Sequence, residues 1–312
     1  MVRLFRLANP HPGSGKPTTM RELLDRGVVT IETELQGQPG VQANLFGGLG
    51  HVYEALGMFR ESKALAEKSL ALSRANGREG DLQQAAALLD LGRSNMKLGA
   101  REQARKAFEQ ALALRVRVLG ENHPDVARVL NGLGAALTQL GCFEEAVSAH
   151  NRALAIQRRA STPDDTEIHH SLRGLGMVQI RKGDFGAASD SFRAVQAFDA
   201  KRFGDNHPFF ADSLHNAALA LEKLNRFEES QSLLERSLDI RKRVLPFDHP
   251  NLAFSYNSLG RVLVAQGKLE AALPLFEEAV RIRRAALGAD RPGTTELVES
   301  LEELRVRLGK GQ

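Results

Sequence analysis

Residues 121–159 read ENHPDVARVLNGLGAALTQLGCFEEAVSAHNRALAIQRR, and this stretch decides the fold. Proline is tolerated at the first position of a helix, where its missing N–H would have no intrahelical acceptor. Pro124 therefore starts a helix, with His123 as N-cap and Asp125 complementing the dipole. Leu130, Leu133 and Leu137 then recur at steps of three and four, the spacing of one buried helical face. Gly141 supplies the left-handed residue that ends this helix near Leu140. A second helix follows from Phe143, acidic at its start (Glu144, Glu145) and basic at its end (Arg158, Arg159), the order the macrodipole prefers. Its apolar residues Phe143, Leu154 and Ile156, with the small residues Gly134, Ala146 and Ala153, predict two helices in close approach.

The same phrase recurs along the chain. Leu-Gly stands at Leu49-Gly50, Leu91-Gly92, Leu133-Gly134, Leu175-Gly176 and Leu259-Gly260, with Ala217-Ala218 in the remaining place, each step being 42 residues. Seven residues after those glycines come Gly57, Gly99, Gly141, Gly183, Asn225 and Gly267, and two further on Phe59, Arg101, Phe143, Phe185, Phe227 and Leu269. A third series, His123-Pro124, His207-Pro208 and His249-Pro250 with Arg291-Pro292 as a variant, keeps the same phase. The charge order repeats too: Glu102, Asp184, Glu228, Glu229 and Glu270 open the second helices, and Arg115, Arg117, Lys201, Arg202, Arg241, Lys242, Arg243, Arg283 and Arg284 close them. A fixed period of this length is the mark of a helical repeat array.

The Leu-Gly, Gly-x-Phe and Ala-Leu pattern resembles the tetratricopeptide repeat, and the 42-residue variant with a His-Pro-Asp opening resembles the kinesin light chain type. The resemblance covers roughly residues 41 to 309. It implies an all-α fold, a right-handed superhelical solenoid of antiparallel helix pairs, with one more turn on each helix than the usual repeat of about 34 residues. HEAT-like arrays have a similar period but lack this glycine and alanine pattern. The expected organisation is a disordered leader over 1–17, a degenerate half repeat over 18–40 with Thr19 and Glu22 as a capping box, six repeats over 41–292, and a capping helix with a tail over 293–312. In that last segment Leu297, Leu301 and Leu308 keep the phase of a first helix, while Glu296, Glu299, Glu302, Glu303, Arg305 and Arg307 make the rest of its surface polar.

Composition narrows the function. Charged residues are 26% of the chain, aromatics 5% and tryptophan absent, a soluble helix-forming mixture with no run long enough to span a membrane and no secretory signal, which places the protein in the cytoplasm. A lone cysteine, Cys142, gives neither an internal disulfide nor a thiolate metal site. Net charge is +4, too small to announce nucleic acid. The basic ends of the second helices form a stripe able to follow phosphates, but no aromatic residues alternate with them, so nucleic acid stays the weaker alternative. Gly13-Ser14-Gly15-Lys16 fails as a phosphate loop because Pro10 and Pro17 occupy two of its required positions. His169 and His170 are adjacent on a helix and diverge too far to chelate one ion. His123, His207 and His249 are expected as caps, with His169, His170 and His215 at the surface or groove. The Glu144-Glu145 and Glu228-Glu229 pairs are explained by their place in first turns, and no nucleophile and base constellation emerges. The expectation is no enzyme, no cofactor and no metal.

In the tetratricopeptide family the first helix of each pair, helix A, lines the concave surface. With Gly134 as the eighth residue of its frame, positions two, five, six, nine and thirteen give Asn44, His51, Asp90, Arg93, Lys97, Arg128, Asn131, His170, Arg173, Arg181, Asp212, His215, Asn216, Lys223, Phe254, Asn257, Ser258 and Arg261. Seven of these are basic and two acidic, so the expected ligand is an acidic peptide held by charge-assisted bonds. The kinesin light chain resemblance adds asparagines of an L-N-N-L-A segment that hold a peptide backbone: Asn131 and Asn257 match the first and Asn216 the second. Other repeats depart from it, with Arg173 and His215 in the first place and Asp90 and Ser258 in the second. The partner expected is thus another protein or peptide. A sensor module of a larger regulator, or a scaffold that self-assembles through repeat ends, is the alternative.

Overall fold

The computed structural model describes residues 20–75, 77–287 and 292–309. The expected leader with Gly13–Lys16, the Thr19 half of the capping box, Arg291 and the last three residues lie outside them. Fourteen α-helices and one 3₁₀ turn, Gly77–Gly80, make up the described chain, which divides at Pro163 into two units.

The first unit holds α1 (Met20–Glu34), α2 (Pro39–Ala55), α3 (Phe59–Ala75), α4 (Asp81–Lys97), α5 (Arg101–Leu119), α6 (Pro124–Leu140) and α7 (Phe143–Arg159). The second holds α8 (Asp165–Lys182), α9 (Phe185–Arg202), α10 (Pro208–Lys223), α11 (Phe227–Val244), α12 (Pro250–Ala265), α13 (Leu269–Leu287) and α14 (Pro292–Arg307). Even-numbered helices are the A helices and odd-numbered ones the B helices, and the architecture is all-α, a run of helix pairs.

Capping follows the sequence markers. His123 Nδ1 accepts from Asp125 N at 3.1 Å, His207 Nδ1 from Phe209 N at 3.2 Å and His249 Nδ1 from Asn251 N at 3.1 Å, satisfying one orphan donor at the start of α6, α10 and α12. Where the His-Pro pair is missing, Asp164 does the same work for α8, accepting from Thr166 N at 3.0 Å and Glu167 N at 3.3 Å. Gly141 ends α6 at φ 82°, and Asn225 takes the equivalent place after α10 at φ 57° as the one positive-φ residue other than glycine among those described.

At four of its five places the Leu-Gly marker has a packing cause, the exception being Gly50, where the residue sixteen on is Ala66 and a Cβ would meet only ordinary contacts. A Cβ at Gly92 would lie 2.5 Å from the Phe108 ring, at Gly176 2.8 Å from Phe192, at Gly260 2.9 Å from Phe276 and at Gly134 2.7 Å from the His150 ring. Each ring comes sixteen residues after its glycine and fills the space between the A and B helices of one pair. In the exceptional repeat Ala218 replaces the glycine, and the residue sixteen on is Leu234, both fully buried in one core cluster. One methyl is gained on one helix and a ring is reduced to a branched chain on the other, so interior volume is held.

Within each unit the A helices also touch each other, α2 with α4 and α4 with α6, then α8 with α10 and α10 with α12. Successive B helices make no comparable contact among the described residues. The A row is therefore the inner row of each unit, and its side chains not consumed by packing share one face.

Candidate functional site

In the first unit most charges of the A face are paired within the chain. Asp90 Oδ1 accepts from Arg93 Nη2 at 2.6 Å and lies 3.0 Å from His51 Nε2. Arg93 also places Nη2 2.8 Å from His51 Nε2 and Nε 3.7 Å from Glu54. The hydrogen bond to Asp90 raises the His51 pKa above its ordinary value, against the opposing effect of burial. Arg128 Nη1 donates to Asp125 Oδ1 at 2.8 Å, Asn44 Oδ1 accepts from Gln83 at 3.3 Å, and Asn131 Oδ1 sits 3.3 Å from His150 Nδ1. Lys97 is exposed and has no ion pair among the described residues.

The second unit is built otherwise. Arg173, on α8, is half-buried, and burial lowers its pKa, with Asp212 the one charge that acts to restore it. No hydrogen bond or ion pair reaches its guanidinium among the described residues. Asp212, on α10, instead accepts from Arg241 Nη2 of α11 at 2.5 Å. Arg241 is 4% exposed, and its Nη1 donates to Ser255 Oγ at 2.5 Å. Asn216 and Asn257 are half-buried, with no hydrogen bond from their amides to the described residues. Arg181 and Lys223 are exposed and unpaired on the same terms, while Arg261 donates to Glu222 at 2.5 Å. His170 is half-buried, and burial followed by the charge of Arg173 lowers its pKa.

Several expectations are corrected. His215 is 1% exposed and Ser258 also 1%, so neither faces a groove. Phe254 packs over the His215 ring at a tilt of 31° with centroids 4.4 Å apart, Ser258 Oγ lies 3.3 Å from Nε2, and burial beside Arg241 pushes the His215 pKa down to about 3. His169 is also buried, bonded through Nδ1 to Asp199 at 2.7 Å and stacked on Phe209 at 4.2 Å. Of the basic stripe, Arg115 and Arg241 are interior groups rather than solvated ones: Arg115 donates to the Asp125 carbonyl at 2.7 Å, tying the end of α5 to the start of α6. They stand three periods apart, and the burial of both interrupts the stripe.

The charge count at the chosen positions missed Glu54 and Glu222, which occupy position twelve of α2 and α10. Each pairs with an arginine at position nine of the next A helix, Glu54 with Arg93 and Glu222 with Arg261. A glutamate followed 39 residues later by arginine, twice in phase, was the readable signal. No cluster of three or more metal-ligating side chains exists among the described residues, and no described helix is long and apolar enough to cross a membrane.

A family model for the tetratricopeptide repeat matches residues 41–115, 83–159, 125–201, 167–243 and 209–285. Comparison with curated proteins gives no match. Among solved structures, a putative kinesin light chain with nearly identical TPR-like repeats from Podosopora anserina is 24% identical, covering 67% of this chain and 99% of its own, at a TM-score of 0.54. BtubC (BKLC) from P. vanneervenii is 19% identical over 75% of this chain and 94% of its own, TM-score 0.59. A STAND signal-transduction ATPase with a tetratricopeptide repeat sensor from Pyrococcus horikoshii is 14% identical over 93% of this chain and 41% of its own, TM-score 0.60. These likenesses concern the fold, and the matches to the repeat model run through both units, so the chain belongs to the tetratricopeptide repeat family.

Proposed function

We infer that this chain works as a scaffold for protein–protein interaction, as tetratricopeptide repeat arrays in general do. We propose that this chain binds a peptide segment of acidic character on its A-helix faces, as an adaptor or receptor. The single observation that supports this is Arg173. A guanidinium carries five donors and keeps its charge, and this one is half-buried with no carboxylate or carbonyl of the described residues upon it, so an acceptor from outside has donors to meet there. A carboxylate of a guest peptide accepts two parallel bonds from them. Asn216 and Asn257 stand on the next two A helices with uncommitted amides, each able to donate to one peptide carbonyl and accept from one peptide N–H. Arg181 and Lys223 add exposed positive charge in the same unit that steers an acidic guest on approach, and Lys97 adds it on the A face of the first unit. Arg93, Arg128, Arg261, His170 and Asn131 play the lesser part, because most are already held by neighbours in the chain.

The test is selection from a random peptide display library on the full chain and on a variant with Arg128→Glu and Arg173→Glu, with circular dichroism to confirm unchanged helicity. The expected result is enrichment of Asp and Glu with the unaltered chain and its loss with the variant. Equal enrichment with both, or binders without acidic residues, would retire the proposal.

A further inference from the structure

Asp212 stands on the next A helix 39 residues after Arg173, the offset at which His51 and Asp90 meet at 3.0 Å and the His215 and Phe254 rings at 4.4 Å, and its charge acts on Arg173. Arg241 reaches from α11 and holds that carboxylate: Nη2 donates to Asp212 Oδ1 at 2.5 Å. The fork that makes this contact is fixed at its other end, with Nη1 on Ser255 Oγ at 2.5 Å and 3.5 Å from His215 Nδ1. The whole guanidinium is interior, its side chain 5% exposed against 38% for Asp212, so it has little freedom to release its partner. His215 stays neutral beside it and serves as acceptor rather than competitor.

We propose that Arg241 is a positioning residue for ligand binding: it withdraws Asp212 from Arg173 and so keeps the Arg173 guanidinium available to a guest carboxylate. This rests on the acidic-peptide reading above. The arrangement occurs once in the array. Three periods earlier the places of Arg173 and Asp212 are held by Gly47 and Ala86, and Arg115, the counterpart of Arg241, binds a backbone carbonyl instead. The specificity of the second unit for an acid thus depends on a side chain that no guest touches.

The experiment is fluorescence polarisation of the full chain with a fluorescein-labelled (Glu-Ala)₆ peptide, using (Gln-Ala)₆ as the neutral control. Arg241→Met is expected to weaken binding about tenfold, since Asp212 then closes on Arg173, and adding Asp212→Asn is expected to restore it. A purely structural Arg241 would give a loss that Asp212→Asn leaves in place, and that result, or unchanged binding by Arg241→Met, overturns the inference. Should Arg241→Met fail to fold by circular dichroism, Arg241→Lys substitutes for it. A lysine keeps the charge but cannot fork onto Asp212 and Ser255 together, so a smaller loss, again rescued by Asp212→Asn, is expected, and a loss without rescue overturns the inference equally. Failure of the underlying reading is separately visible: (Glu-Ala)₆ then binds no better than (Gln-Ala)₆, or Arg173→Glu leaves its binding unaltered.

Discussion

The A faces of the two units are built from the same repeat and have opposite electrostatic economies. In the first, the charge of Arg93 is paired with Asp90 and Glu54 and that of Arg128 with Asp125, although Arg93 Nε is buried without a hydrogen bond. In the second, Arg173 has no such partner and the one carboxylate nearby is bound to Arg241. The pair formed between position twelve of one A helix and position nine of the next occurs in both, so it belongs to the scaffold. Residues that hold the solenoid together recur with the period, whereas the groups left open to a guest break it.

The largest expected effect probes the part that recurs. Gly92→Ala in the first unit would drive a methyl into the Phe108 ring and is expected to destabilise the chain by about 1–3 kcal/mol in urea denaturation. Adding Phe108→Leu reproduces the Ala218 and Leu234 pair of the second unit and should recover part of that loss, as coupling in a double-mutant cycle. Additive losses would show that the glycine and the ring are not a matched pair.

A histidine from each unit sharpens the contrast through pH. His215 has its pKa depressed from 6.5 to about 3, so the folded state holds it neutral while the unfolded chain takes up a proton. Its contribution is complete above pH 6.5 and declines as pH falls toward 3, by roughly 2 kcal/mol at about pH 5. His215→Gln should flatten that acid limb in denaturation curves taken across pH, and an unchanged limb would assign it to other groups. His51 runs the other way, its pKa raised by Asp90. Its contribution is complete below 6.5 and lost as pH rises through the folded value. With its side chain 54% exposed the effect is the smallest of these, seen as a difference between the chain and His51→Ala at pH 6 that vanishes at pH 9.

How much of this was legible in the sequence depends on the range over which a feature is decided. Caps and helix ends are decided by neighbours a few residues apart, so His123, Gly141 and Asn225 read correctly. Whether an A-helix side chain is open is decided 39 to 42 residues away. His215 and Asn257 hold the same position of the frame, yet His215 is covered because Phe254, 39 residues on, packs upon it. Arg241 read as a solvated helix end because the dipole rule explains any basic residue there, and only the packing of α11 against α10 and α12 turns it inward.

The most direct measurement compares one charge reversal in each unit. Titration of the (Glu-Ala)₆ peptide against Arg93→Glu and Arg173→Glu should show a loss of about a hundredfold for Arg173→Glu, where the guest meets a guanidinium with no internal partner, and only a few-fold change for Arg93→Glu, whose partners are internal. Equal losses in the two variants, or a larger one for Arg93→Glu, would contradict the account.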